Sequence, residues 1–289
     1  MMRIWYQYPA PLMGIRGAVF ELLETVFARV KRPDTTIDLR TPKRGGRASL
    51  WPYEYFKFYA AREIFETIQR AEAEGYDGVL IGQSAEPALT ESKELLHIPV
   101  TGIFESAIHL ANQLGERFAL VTIPSPSGVR PGKHVLPLLR NVRKYGLEGR
   151  LVGWSEIGMS AAAFNAAIAS GARAAVHEAF FEAARGLIER GAEVIVPAET
   201  LLSVALAVDG IVEEPASGAA VVDLVTAGIK NLEMLIELHE KTGLLRSRSL
   251  SYARPRDEEI AETRAAFGLP RIGEASWPSS MKRGDASPT

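Results

Sequence analysis

The chain has 289 residues, 47% of them apolar, and a formal net charge of −2, enough for a large core or roughly two domains and without the basic face that nucleic acid requires. It has no cysteine, which excludes disulfides, thiolate metal sites, iron–sulfur clusters and cysteine nucleophiles. No apolar run approaches the ~18 residues that cross a bilayer, and MMRIWYQYPA lacks a signal-peptide core, so a cytoplasmic protein that leaves membranes alone is expected.

In chain order, residues 3–8 (RIWYQY) read as a first strand ending at Pro9. Helical spacing of Ile15, Val19, Leu22, Leu23, Val26 and Val30 predicts a helix over 14–30, and TTIDLR (35–40) a second strand. Residues 41–55 read as a loop, first Gly-rich and basic, then aromatic. An amphipathic helix over 59–75 closes at Gly75, and DGVLIG (77–82) is an apolar strand. A helix near 88–96, a strand over 98–104, a helix over 106–115 and a strand over 117–124 follow. Residues 134–146 read as a helix, and an Ala-rich helical stretch then runs to Gly191. EVIVPAET (193–200) opens as a buried strand and ends on Glu199 and Thr200. A long helix is expected over 220–243, an exposed one over 253–268, and disorder over the polar stretch 274–289.

Strands alternating with helices imply parallel sheets built from right-handed βαβ units. The alternation also hides a repeat. A shift of 116 positions lays GYDGVLIGQS (75–84) on GAEVIVPAET (191–200), so Gln83 falls on Glu199 and Ser84 on Thr200. A shift of 115 lays Gln7 and Pro9 on Thr122 and Pro124. The repeat predicts an α/β protein of two similar Rossmann-like lobes related by pseudo-twofold symmetry, with a cleft between them. Open α/β sheets bind ligands at the carboxyl ends of their strands, so Gln83, Ser84, Glu199 and Thr200 are expected to face one another there. Gln7 and Tyr8, and Thr122 and Ser125, end the first strands of the two lobes and are further candidate donors. Trp51, Tyr53, Tyr55 and Phe56 read as an aromatic loop able to close over the site, with Tyr53 a candidate substrate contact.

Several segments in order carry a family resemblance: MRIWYQ, DGVLIG..AEPAL (77–89), IPVTGIFESAIHLANQLGERFALVT (98–122), KYGL (144–147), GAEVIV (191–196), VVDLVTAGIKNLEML (221–235) and SLSYARP (249–255). In these, over roughly 250 residues, the chain resembles the aspartate/glutamate/hydantoin racemase superfamily, and within it the hydantoin racemase branch. The resemblance implies two pseudo-twofold lobes and two cysteines, one thiolate removing the proton α to a carbonyl and the other returning it. Its pattern places those cysteines at Gln83 and Glu199, and hydroxyls that bind a carboxylate or carbonyl at Ser84 and Thr200. Lobe one is expected from 1–115 plus 216–250 and lobe two from 116–215; a C-terminal extension over 251–289 runs beyond the resemblance, and its polar composition reads as partly disordered or, if ordered, packed on another subunit through Trp277.

The departure at the two catalytic positions redirects the chemistry. Glu199 can act as a base, its pKa raised by burial. Gln83 carries no proton near neutrality and only hydrogen-bonds. A one-sided carbon-acid reaction is therefore expected: racemisation, isomerisation or decarboxylation of a small carboxylate, amide or cyclic ureide, without cofactor, in a homo-oligomer. A hydrolase in which Glu199 activates water on an amide, imide or ketone carbonyl, and a non-catalytic relative that binds a small acid, are the alternatives.

Plainer readings stand beside these. Glu199 suits the N-cap of a following helix, and Glu86 and Glu105 suit helix N-termini. His97, His109 and His177 sit in ordinary helix-associated segments, and no His/Asp/Glu grouping has metal-ligand spacing, so no metal is expected. KRGGR (43–47) reads as a solvated loop, and no G-x-S-x-G elbow supports serine chemistry.

Overall fold

The computed structural model describes residues 1–11, 17–45 and 51–272. The expected disordered tail and Trp277 lie outside them, as does the first part of the helix expected over 14–30. Two four-stranded sheets carry the architecture. The first runs β2-β1-β3-β4 from β1 (Met2–Gln7), β2 (Thr35–Arg40), β3 (Gly78–Ile81) and β4 (Val100–Gly102); the second runs β6-β5-β7-β8 from β5 (Phe118–Thr122), β6 (Leu151–Glu156), β7 (Val194–Pro197) and β8 (Ala220–Val221). Every pairing within them is parallel. The two orders are the same order, so the repeat extends from a few matched residues to whole lobes.

Alternation along the strands divides the core. Ile4 and Tyr6 of β1 join Leu80, Leu120 and Val196 in a core shared by both sheets, while Trp5 turns into a separate cluster with Ile64 and Tyr76. A third cluster, with Phe164 and Phe180, backs the second sheet. Helices α1 (Ala18–Val30), α4 (Ile103–Leu114), α8 (Thr200–Val208) and α9 (Leu224–Thr242) fill the space between the sheets. Helix α4 leaves β4 of the first sheet yet contacts β5 and β7 of the second; α9 leaves β8 of the second yet contacts β3 and β4 of the first. Asp223 caps α9 by accepting the Thr226 amide at 2.7 Å.

The remaining helices are α2 (Glu54–Ile68), α3 (Leu89–Leu95), α5 (Leu136–Lys144), α6 (Ala161–Ser170), α7 (Arg173–Ile188) and α10 (Asp257–Ala266). Three expectations are corrected. Strand β6 lies inside the stretch read as helical; as a half-buried edge strand with Gly153 at its centre it carries little of the apolar pattern that marks a strand. Helix α2 begins five residues earlier than expected, so Tyr55 and Phe56 are on an exposed helix face and not in a loop. The first residues of the helix expected over 220–243 are β8, drawn into the sheet by pairing with β7. The described part of the C-terminal extension packs on its own chain: Arg254 Nε donates to the Leu95 carbonyl at 2.9 Å, and Arg264 Nη1 to Gln69 Oε1 at 2.8 Å.

Gly82 follows β3 and lines the cavity, and a Cβ there would lie 2.3 Å from the Tyr6 ring. Tyr6 is fully buried and has nowhere to withdraw. Gly82→Ala is expected to cost about 1–3 kcal/mol of stability, read by urea denaturation.

Candidate active site

The carboxyl ends of β1, β3, β5 and β7 and the turns after them open on one cavity of about 340 Å³. Of the residues singled out in the sequence, Tyr8, Gln83, Ser84, Thr122, Glu199 and Thr200 line it. The two repeat-related pairs therefore share one wall system. Its remaining surface is mostly apolar, with Trp51, Leu138, Phe164 and Val204 prominent.

Glu199 is the N-cap of α8, and its Oε2 accepts the Leu201 amide at 2.8 Å and the Leu202 amide at 3.0 Å. The plainer reading of this residue is thus correct as geometry, and it coexists with a place in the cavity wall. Burial pushes the carboxyl above its ordinary range, against the pull of the Leu202, Leu201 and Thr200 amides. Tyr8 is pushed up by burial and then by the charge of Glu199, so its hydroxyl stays a donor beside that carboxylate.

Gln83 has one end committed. Its Oε1 accepts the Ala85 amide at 2.6 Å, an assignment that leaves the Nε2 hydrogens as the end available to a ligand. The amide at this position is oriented as a donor.

Three predicted contacts lie elsewhere. Gln7 is fully buried, accepting from Trp5 Nε1 at 2.8 Å and donating from Nε2 to the Tyr8 carbonyl at 2.9 Å. The reason is register. Gln7 pairs with Ile81 and Val121 with Pro197, and Ile81 and Pro197 are repeat mates, so Tyr8 and not Gln7 is the counterpart of Thr122. A one-residue slip turns a strand side chain to the opposite face. Ser125 does not line the cavity; its hydroxyl lies 2.7 Å from His134 Nδ1 and 3.2 Å from the Arg130 carbonyl. Tyr53 sits at the N-cap of α2, its hydroxyl 3.5 Å from the Gly128 carbonyl and Lys133 Nζ 5.1 Å from its ring, so it bridges the lobes outside the cavity.

His134 and Asn165 line the cavity unannounced by the sequence. His134 was read only as the start of a helix, and both its ring nitrogens are near protein groups: Nδ1 at Ser125, and Nε2 3.9 Å from Glu156 Oε1. Burial pushes its pKa down, so it is neutral at pH 7. Asn165 lies within the Ala-rich stretch, where nothing in spacing distinguishes it. Among the described residues that line the cavity none is Lys or Arg, and among all described residues no His/Cys/Asp/Glu group of three is placed to hold a metal ion. No described helix is long and apolar enough to cross a membrane.

A cleft between two like lobes, closed by exchanged helices and fed by repeat-related strand ends, is matched by a family model. The Asp/Glu/Hydantoin racemase model aligns with residues 18–232. The chain belongs to this family. It is 29% identical over 247 residues to a hydantoin racemase of Pseudomonas sp. (strain NS671), covering 82% of this chain and 87% of that one. The allantoin racemase of Pseudomonas fluorescens superposes with a TM-score of 0.70 at 26% identity, covering 88% of this chain and 97% of that one. An aspartate racemase homologue from Pyrococcus horikoshii, at 11% identity, shares the fold with a TM-score of 0.55 over 82% of this chain and 100% of its own. The chain is therefore a racemase-like enzyme, and within this family it carries an amide at position 83 and a carboxylate at position 199.

Because the folded Glu199 pKa is raised, the folded state binds its proton more tightly than the unfolded chain does. Stability then falls as pH rises from the ordinary carboxylate range through the folded pKa. Glu199→Gln keeps an oxygen for the α8 amides and removes the charge. The variant is expected to melt higher than wild type at pH 8 and to converge with it below about pH 4.5, as paired thermal scans at both ends will show.

Proposed function

We propose that this enzyme removes and returns a carbon-bound proton next to a carbonyl, with Glu199 as single base, in a neutral amide or cyclic ureide such as a 5-substituted hydantoin. The observation that carries the reading is a carboxylate of raised pKa in a cavity wall where no described Lys or Arg is found. A carboxylate substrate would meet the Glu199 charge with no Lys or Arg among the described lining residues to offset it; a neutral ring would not. Of the wider substrate range expected from the sequence, the amide and ureide part is favoured over the carboxylate, and racemisation or isomerisation over decarboxylation.

The roles follow from donors and acceptors. Glu199 takes the proton through the oxygen not held by the α8 amides. As charge moves onto the substrate oxygen, Gln83 Nε2 donates to it, and the Tyr8 hydroxyl, kept protonated by its surroundings, is a second donor. Ser84, Thr122 and Thr200 hydrogen-bond the rest of the ring, and Trp51, Leu138, Phe164 and Val204 accept its apolar substituent. The chemistry as proposed calls on side chains alone. In the same reading lobe one comprises 1–115 and 216–250, lobe two 116–215, and 251–289 is an appendage.

One base acting on one face returns the proton to the side it came from unless the intermediate turns over. With an enantiopure 5-substituted hydantoin in heavy water, deuterium is expected to enter the ring carbon faster than the centre inverts. Glu199→Gln is expected to slow that exchange by about 10²–10⁴-fold. Equal rates of exchange and inversion, undiminished exchange in the variant, or heavy oxygen from water in a ring-opened product would overturn the assignment.

A further inference from the structure

The turn that follows Gln83 and Ser84 is gripped from the opposite lobe. Tyr145, just past the end of α5, donates its hydroxyl to Glu86 Oε2 at 2.6 Å. Asn141 Nδ2 lies 3.3 Å from the same oxygen and 3.5 Å from the Ala85 carbonyl, and Lys144 Nζ donates to Thr90 Oγ1 at 2.9 Å. The other carboxylate oxygen, Oε1, accepts the Glu105 amide in the first turn of α4 at 2.5 Å. Glu86 does sit at a helix N-terminus, as the sequence suggested, but the helix is α4, which begins at Ile103, and not α3, which follows Glu86 in the chain and begins at Leu89: the difference is tertiary and invisible to local pattern. Gly102 leaves room for this contact, since a Cβ there would stand 2.0 Å from Oε1. Glu86 and Ala88 both have positive φ, 53° and 63°, a backbone that side chains rarely adopt and that surrounding contacts must hold.

We propose that Glu86 and Tyr145 are positioning residues whose hydrogen bond clasps the two lobes and sets the Gln83 turn against Glu199. The proposal rests on the reading of Gln83 and Glu199 as the two sides of the site. Three donors converge on the Glu86 carboxyl, an arrangement suited to the ionised, acceptor-only form. The charges around it come from every neighbouring element. Glu105 of α4 is tied to Lys93 of α3 at 2.5 Å; His109 of α4 packs on Tyr145 with rings tilted by 58° and centroids 5.6 Å apart; Lys144 lies 5.6 Å from the Tyr145 ring; Tyr252 of the C-terminal segment adds its charge to the field at Tyr145. Burial and then Glu105 push Glu86 up to about 7, while Tyr145, the Glu105 amide and Lys93 pull it down. The clasp is therefore tight when Glu86 is ionised and loosens when protonation removes an acceptor.

The absence of native cysteine makes a distance measurement direct. Spin labels on Arg62→Cys and Glu178→Cys, both exposed and on opposite lobes, report the lobe separation by pulsed electron resonance in the full chain. The distribution is expected to be narrow at about pH 8.5, broader at about pH 5.5, and to change with a midpoint near that of Glu86. Glu86→Gln should hold the acidic distribution throughout. Tyr145→Phe should raise the midpoint by about one pH unit, because it removes a bond to the charged form; His109→Asn should leave it in place. With a 5-substituted hydantoin, Tyr145→Phe should lower kcat about tenfold or more with little change in KM. A distribution indifferent to pH, a midpoint unmoved in Tyr145→Phe, or a transition abolished in His109→Asn overturns the clasp. The distances need no substrate, so absent turnover in every protein would count against the function proposed above and leave the clasp judged on distance alone.

Discussion

The exchange of α4 and α9 between the sheets is the constraint on which the site depends. Each helix leaves the edge strand of one sheet and packs on strands of the other, so neither lobe completes its core alone. The shared cluster runs from Ile4 and Leu80 through Ile103 and Ile229 to Leu120 and Val196. Buried apolar area of this extent resists sliding because close-packed interiors tolerate little displacement. With the two sheets joined through one core, the carboxyl ends of β3 and β7 open on the same cavity, and Gln83, Ser84, Glu199 and Thr200 after them line it.

Glu199 shows how one side chain serves two masters. Its Oε2 holds the first turn of α8, a bond that fixes the carboxylate where a freely rotating Glu would not stay. The same amides lower its affinity for a proton while burial raises it, and burial wins. The base proposed for Glu199 would need both restraint and basicity, and here the cap provides the first and the cavity wall the second. The asymmetry with Gln83 follows from chemistry and not from geometry, since the two positions are mates in an otherwise symmetric frame.

The lobes, the parallel sheets and the pairing of Gln83 with Glu199 were legible because β3 and β7 are buried on both faces and their apolar runs survive in the repeat. What failed did so where the signal is local and the cause is not. The offset between β1 and β5 was misjudged by one residue, so of the two neighbours expected in the site, Gln7 and Tyr8, the period-two alternation sends Gln7 into the core and leaves Tyr8 at the cavity. Strand β6 was lost because an edge strand with a central Gly is weakly patterned. His134 and Asn165 are brought to the cavity by the packing of α5 and α6 alone, and no spacing rule names them. Ser125 was chosen correctly as a polar residue near the cleft and incorrectly as a ligand contact, because its hydroxyl is spent on His134.

An amide at position 83 and a carboxylate at position 199 also change what can poison the cleft. Thiolates are the side chains that peroxide and alkylating agents attack first, and oxidation past the sulfenic state is essentially irreversible. A site built on thiols works only while its surroundings stay reducing. Neither Glu199 nor Gln83 is open to that chemistry, so on the reading proposed above an oxidising medium would leave both side chains intact, and acidity would be the variable that governs Glu199.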